Sequence, residues 1–264
     1  MSFGELAREL IRVFRRGVDA SLDDSAFQDL AGRVFKHQFE HNPVYAGFCR
    51  RRGVVPDDDP PWTAIPPVPT RAFKRLRLAS GPEDEIELVF RTSGTSRGEG
   101  RRGEHPILEA SLYRESLLPN FRAHLLPDGA RLPLVSLIHS PDRAPDSSLS
   151  HMIGVVEEEL AGAGGGWFVD PDEGIREEPL RETLERLTVA GRPLLLTATA
   201  FALVHWIDAM DREGWRFQLP AGSRIMETGG FKGRSRTVSR EELYGGLEER
   251  LGVPRARIVN EYGM

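Results

Sequence analysis

The chain has 264 residues, with 35 Lys+Arg against 40 Asp+Glu and a formal net charge of -5. Hydrophobic residues make up 39% and charged residues 28%, the balance of a globular chain long enough to fill a core. Mild acidity argues against a chain-wide basic surface for nucleic acid, and a single cysteine, Cys49, excludes an internal disulfide or a multi-cysteine metal site, so a reducing cytoplasm is the expected compartment.

Glu5 and Arg8 come too early for a signal peptide's apolar stretch. Apolar Leu6, Leu10, Ile11, Val13 and Phe14 recur near helical spacing and predict a helix over 4–16. A second helix is expected after Ser21 or Asp24, with Phe27, Leu30, Val34 and Phe35 facing inward. Asn42-Pro43 should interrupt it, because the residue before a proline avoids the helical region, and a short helix should follow over 44–52. Prolines 56, 60, 61, 66, 67 and 69 with Asp57-Asp58-Asp59 mark a loop, expected to be pinned by Trp62 and Ile65.

From residue 86 the pattern alternates. Strands are expected at 86–90, 132–139, 167–169, 194–196, 224–226 and 257–259, with helices around 108–124, 150–160, 179–190, 200–212 and 240–251. Gly162 to Gly166 reads as a turn. The most apolar run, Pro193 to Ile207, is 15 residues long, short of the ~20 that span a bilayer, and reads as a buried strand entering a buried helix. Alternation of this kind predicts an α/β fold with a largely parallel sheet covered on both faces. The division expected is an N-terminal helical and Pro-rich segment, 1–85, packed on an α/β nucleotide-binding core, 86–264. Function should collect in loops after the strands' carboxyl ends.

Phe90-Arg91-Thr92-Ser93-Gly94-Thr95-Ser96-Arg97-Gly98 is the sharpest local signal. A strand ends in small hydroxyl residues and glycines, where successive N–H groups can converge on an anion, with Arg97, Arg101 and Arg102 adding positive charge. A polyphosphate cradle is one reading and an ordinary surface turn the other. The P-loop ending Gly-Lys-Ser/Thr is missing. Separately, His37-Gln38-Phe39-Glu40-His41 matches the spacing of an inverted zinc-peptidase helix, a remote alternative that needs a third ligand. Cys49 lies near Arg50, Arg51 and Arg52, whose charge favours a thiolate, yet a structural role is the plainer reading.

Thr92 to Gly98 resembles the phosphate-binding loop of adenylate-forming enzymes, and Asn260-Glu261-Tyr262-Gly263-Met264 resembles the opening of their Tyr-Gly-x-Thr-Glu motif. Glu227-Thr228-Gly229-Gly230-Phe231-Lys232-Gly233, then Val238-Ser239-Arg240-Glu241-Glu242, is similar to the LuxE-type acyl-protein synthetases of that superfamily. So is Trp62-x-x-Ile65-Pro66-x-Val68-Pro69, continuing to Phe73-Lys74. Phe231 stands where this branch usually has Trp, and an arginine-rich stretch replaces the lysine that usually follows the phosphate loop.

The resemblance implies the large N-terminal domain of an adenylate-forming enzyme, layered α/β. It implies activation of a long-chain fatty acid by ATP with Mg2+ to an acyl adenylate, with pyrophosphate leaving, then acyl transfer to a protein thiol. Thr92, Ser93, Gly94, Thr95, Ser96 and Gly98 would hold the phosphates. Gly229, Gly230, Glu261, Tyr262 and Gly263 would form the adenine site, with Tyr262 on the base. His151 is implied near the acyl pocket or is a helix-start histidine; Lys232 approaches the phosphates or the acyl carboxylate or sits on a loop surface. Met264 is the last candidate, and the Thr and Glu for the α-phosphate and Mg2+ are expected beyond it, with the C-terminal lid, so no metal ligand is expected within the chain. An acyl-accepting reductase or carrier protein is the implied partner, with no nucleic acid and no membrane span. The alternative is a catalytically incomplete nucleotide- or acyl-binding subunit acting with a partner.

Overall fold

The computed structural model describes residues 2–92, 102–229 and 238–262. The chain divides into two compact units, Met1–Ala123 and His124–Met264. This division falls at residue 123, whereas the sequence pattern placed one at 85; among the described residues the two strands between these positions pair with each other.

In the first unit, α1 (Phe3–Phe14) begins on a capping box in which Ser2 and Glu5 satisfy each other's backbone N–H groups. Helix α2 (Asp24–His41) starts on Asp23. Asn42 ends α2 and its side chain caps α3 (Pro43–Arg51), whose first residue is a proline with no N–H to satisfy. Of the residues expected to face inward, Leu30 and Phe35 are buried, while Phe27 is exposed and meets Trp62 edge-on at 5.2 Å. The Pro-rich loop is tied to this helical pair. Gln28 donates to the Pro60 carbonyl and accepts from Trp62 N–H, the Tyr45 hydroxyl donates to Pro66, and Ile65 packs on Phe35, Tyr45 and Cys49.

Strands β1 (Leu88–Arg91) and β2 (Glu104–Ile107) form an antiparallel pair with Arg91 opposite Glu104. No strand was expected at 104–107. Pro106 reads as a breaker, but a two-stranded ribbon leaves outer N–H positions where proline costs no ladder bond. Helix α4 (Ala110–Leu125) follows only after β2, so the Ser/Thr/Gly segment joins two strands rather than a strand to a helix.

The second unit is a five-stranded parallel sheet in the order β4-β3-β7-β8-β9. Its strands are β3 (Pro133–Leu137), β4 (Gly162–Trp167), β7 (Leu195–Thr199), β8 (Arg224–Thr228) and β9 (Ile258–Glu261). A small ribbon, β5 (Val169–Asp170) with β6 (Gly174–Ile175), follows β4. Helices α6 (Glu177–Val189), α7 (Ala200–Glu213) and α8 (Arg240–Leu251) bury Leu180, Leu184, Leu203, Trp206, Leu243 and Leu247 against Val135, Leu196 and Ile225. Helix α5 (Ser148–Leu160) connects β3 to β4 in the opposite direction, so a right-handed crossover places it on the other face. The central strands are buried on both sides, as their apolar runs require.

Gly162 to Gly166 is not a turn but most of edge strand β4. A Cβ on Gly165 would lie 1.8 Å from the Leu134 carbonyl oxygen, so β3 and β4 approach as only glycine permits. Gly165→Ala should lower the urea midpoint by the equivalent of about 2–3 kcal/mol, because the obstacle is backbone. Gly32→Ala, inside α2 with open space around its Cβ, should raise it by about 0.5–1 kcal/mol.

Buried Arg224 opens β8 by donating to the Leu125 carbonyl and to the Asp128 carboxylate. That guanidinium, with a further bond from Ala130 N–H, holds the Asp128 carboxyl down to about 2. A depressed folded value makes the stabilisation complete above the unfolded value of 3.8 and lost as pH falls toward 2. Asp128→Asn should flatten the dependence of the urea midpoint on pH between about 4 and 2.

Candidate functional site

The sheet order corresponds to 2-1-3-4-5 of a doubly wound fold, in which ligands lie outside the strands' carboxyl ends. At that edge β8 ends in Glu227-Thr228 and β9 in Asn260-Glu261, with Glu227 opposite Asn260 and Thr228 opposite Glu261. Successive side chains alternate faces, so the two pairs tie the strand ends together once on each side. The Thr228 hydroxyl donates to the Glu261 carboxylate. On the α8 side, Glu227 Oε1 accepts from Asn260 Nδ2 at 2.6 Å and from the Tyr244 hydroxyl at 2.9 Å. Burial, and then the Glu227 carboxylate, push the Tyr244 phenol up to about 12.

The chain leaves these stapled ends at Gly229 and Tyr262. Gly229 has φ +80°, a backbone conformation that glycine adopts without strain. The Tyr262 side chain is 84% exposed. The structure thus brings Gly229, Glu261 and Tyr262 to one end of two adjacent strands. Gly230, Lys232, Gly263 and Met264 lie outside the described residues, as do Ser93, Gly94, Thr95, Ser96 and Gly98.

Thr92, in the first unit, is described, and its hydroxyl is engaged. It accepts from Gly103 N–H at 2.9 Å, while Thr92 N–H donates to the Gly103 carbonyl and Arg102 donates to the Thr92 carbonyl. This is the closing rung of the β1–β2 ribbon. Beyond it, His105 stacks on Phe73 at 4.3 Å, and burial lowers its imidazole pKa. His151 lies in the first turn of α5, half-buried, its N–H bonded to the Ser147 carbonyl.

Sequence reasoning passed over Glu227 and Tyr244 as site residues. The available signal was a carboxylate inside the short apolar strand Arg224-Ile225-Met226-Glu227-Thr228, where a charge demands partners. His139, dismissed from the sequence as part of a nucleophile elbow, lies just beyond β3 where the strand order reverses, and its buried Nδ1 has no hydrogen-bond partner among the described residues.

The family model for acyl-protein synthetase, LuxE, matches residues 23–264. The chain belongs to the LuxE acyl-protein synthetase family. A LuxE relative, the long-chain-fatty-acid–luciferin-component ligase of Photorhabdus luminescens, is 36% identical over 63 residues, 24% of this chain and 53% of that sequence. Among solved structures, 2-hydroxyisobutyryl-CoA ligase in an open conformation, with 2-HIB-AMP and CoA, matches with a TM-score of 0.58 at 19% identity. That match covers 91% of this chain and 53% of the ligase. The same ligase in its postadenylation state gives 0.58 at 19% identity, covering 91% and 48%. The chain therefore spans about half the length of these relatives, and the structural likeness shows a shared fold.

Two other chemical candidates of this LuxE chain serve packing. The His37 and His41 rings stack at 4.3 Å, and His37 also stacks on Phe3, so the pair does not converge on one point. Among the described residues, no group of three His, Cys, Asp or Glu could hold a metal ion. Cys49 is fully buried beside Phe35 and Tyr45. Burial raises its thiol pKa, outweighing the opposing pull of the Tyr45 hydroxyl and Arg52. Activation by the neighbouring arginines, the lesser of the two readings, is outweighed by desolvation. A chromogenic disulfide reagent should label Cys49 on the order of 100-fold or more slowly in native protein than in urea.

Proposed function

We propose that this chain forms the nucleotide-binding part of an enzyme that activates a long-chain fatty acid as its acyl adenylate. A carboxylate oxygen attacks the α-phosphorus of ATP. The new O–P bond replaces the bond to the β-phosphate, and pyrophosphate leaves with the electron pair. In the complete enzyme a protein thiol then takes the acyl group, releasing AMP; buried Cys49 is not assigned that role. Catalysis of such a displacement rests on positioning and on neutralising phosphate charge.

The observation that carries this reading is the end-to-end alignment of β8 and β9. Thr228 and Glu261 are in register and bonded, so Gly229 and Tyr262 emerge next to each other from a parallel sheet's ligand-binding edge. An exposed aromatic ring and an adjacent glycine suit a flat purine, one offering a stacking face and the other close backbone approach. Support also comes from the LuxE family match and from the shared fold of a ligase crystallised with an acyl adenylate. Thr92 through Gly98 are assigned to the phosphates through their resemblance to the superfamily's loop. Lys232 and His151 are secondary candidates for the phosphate or acyl end. Mg2+ would arrive on the nucleotide's phosphates, a mode that asks the protein for one or two carboxylates, and no described residue is assigned to it. An acyl-accepting reductase or carrier is the proposed partner. No described helix is long and apolar enough to cross a membrane.

Calorimetric titration with MgATP should show binding to the chain, and Tyr262→Ala should weaken it about 10- to 100-fold, the range expected for losing one base–aromatic stack. Absence of heat in the unmodified chain would sink the nucleotide reading. Fatty-acid-dependent exchange of labelled pyrophosphate into ATP separates an activating enzyme from a subunit that only binds.

A further inference from the structure

We infer that Glu227 is the positioning residue of the proposed nucleotide site, holding Asn260 and, through it, the peptide that carries Tyr262. The inference rests on the nucleotide reading above and names a residue to which that reading gives no role.

Glu227 is 3% exposed and lies two residues before Gly229, just as Asn260 lies two residues before Tyr262. Its Oε1 is shared by Asn260 Nδ2 from β9 and the Tyr244 hydroxyl from α8. The other end of the Asn260 amide accepts from Arg240, the first residue of α8, at 3.3 Å. These contacts form a closed loop: α8 to β9 through Arg240 and Asn260, β9 to β8 through Glu227, and β8 back to α8 through Tyr244. The loop fixes the Asn260 amide by both its oxygen and its nitrogen, so the β9 end has little rotational freedom at the residue that sets the direction of Glu261 and Tyr262. It also anchors the start of α8 through Arg240.

A purely structural role does not call for this chemistry. Among the described residues, the two direct partners of the carboxylate are neutral, and the Arg240 guanidinium reaches it through Asn260. Burying a carboxylate among neutral donors carries a desolvation cost that an apolar residue of similar volume avoids. What the carboxylate supplies is one acceptor atom that two donors from two different elements can share.

The test compares MgATP dissociation constants for wild type, Glu227→Ala, Glu227→Gln and Tyr244→Phe, each at a urea concentration and temperature where the variant is shown to be folded. Glu227→Ala should raise the constant tenfold or more, and Tyr244→Phe about threefold. Glu227→Gln should stay within about threefold of wild type, because its amide oxygen can take the place of Oε1 for both donors. Hydrogen exchange of the amides at 258–262 should quicken in Glu227→Ala and not in Glu227→Gln. If Glu227→Ala loses stability but keeps wild-type affinity, Glu227 only packs and the inference falls. If glutamine is as damaging as alanine, the charge acts directly and positioning is overturned. Should Glu227→Ala not fold, unchanged affinity in Tyr244→Phe overturns the inference. Wild type that fails to bind MgATP overturns the nucleotide reading itself, an outcome distinct from all of these.

Discussion

A slip of β9 by one residue against β8 shows what this structure depends on. In the observed register Ile225 faces Ile258, Glu227 faces Asn260 and Thr228 faces Glu261. Moved one way, Glu227 would meet Glu261, setting a second carboxylate beside the buried one. Moved the other way, Glu227 would meet Val259 and lose its amide donor. Either shift also turns Ile258 away from the face on which it is buried. An unsatisfied buried acceptor costs about 1–3 kcal/mol and more when charged, so polar pairs at the tip reinforce the register chosen by apolar pairs at the root. Which residues emerge together at the carboxyl edge follows from that alignment.

The same sheet constrains its other edge differently. There, β4 is held close by the absence of side chains, since a would-be Cβ on Gly165 comes within 1.8 Å of the Leu134 oxygen of β3, and one on Gly162 within 2.4 Å of the Arg131 oxygen just before β3. One edge is registered by polar groups that must meet and the other by atoms that must be missing. The first is a side-chain requirement and the second a backbone one, and each acts between two strands separated in sequence by a helix.

That difference explains what could be read in advance. Helix α8 was legible to the residue, because Ser239 and Glu242 form a capping box and Gly252 ends the helix with positive φ. The β7–α7 passage was legible because a run buried on both faces is apolar throughout. The glycine run was not, since glycine's local preference is for turns and only the proximity of Leu134 makes it a strand. Strand β2 was hidden by Pro106. For the candidate site, a motif singled out Gly229, Glu261 and Tyr262, and the structure brings these three to one end of two adjacent strands. Glu227, Asn260 and Tyr244 form one unit only after the sheet and α8 assemble, and no local pattern joins residues 227, 244 and 260.

Cys49 and Glu227 then illustrate one rule with opposite outcomes. Both are ionisable groups almost wholly removed from water. Cys49 shares a buried cluster with Phe35 and Tyr45, and neither the Tyr45 hydroxyl nor Arg52 compensates for lost hydration, so burial raises the thiol pKa and keeps it out of reach. Around Glu227, two directed donors converge on one oxygen, and a third group orients one of those donors. Arginines close in sequence to Cys49 favoured a thiolate there, whereas the motif that begins at Glu227 pointed to Gly229 and Gly230 rather than to the carboxylate itself. Proximity along the chain is therefore a poor guide to where a buried polar group is put to use. The better guide is whether separate elements each contribute a donor to it, because such convergence is costly to assemble and fixes the geometry of whatever lies immediately beyond.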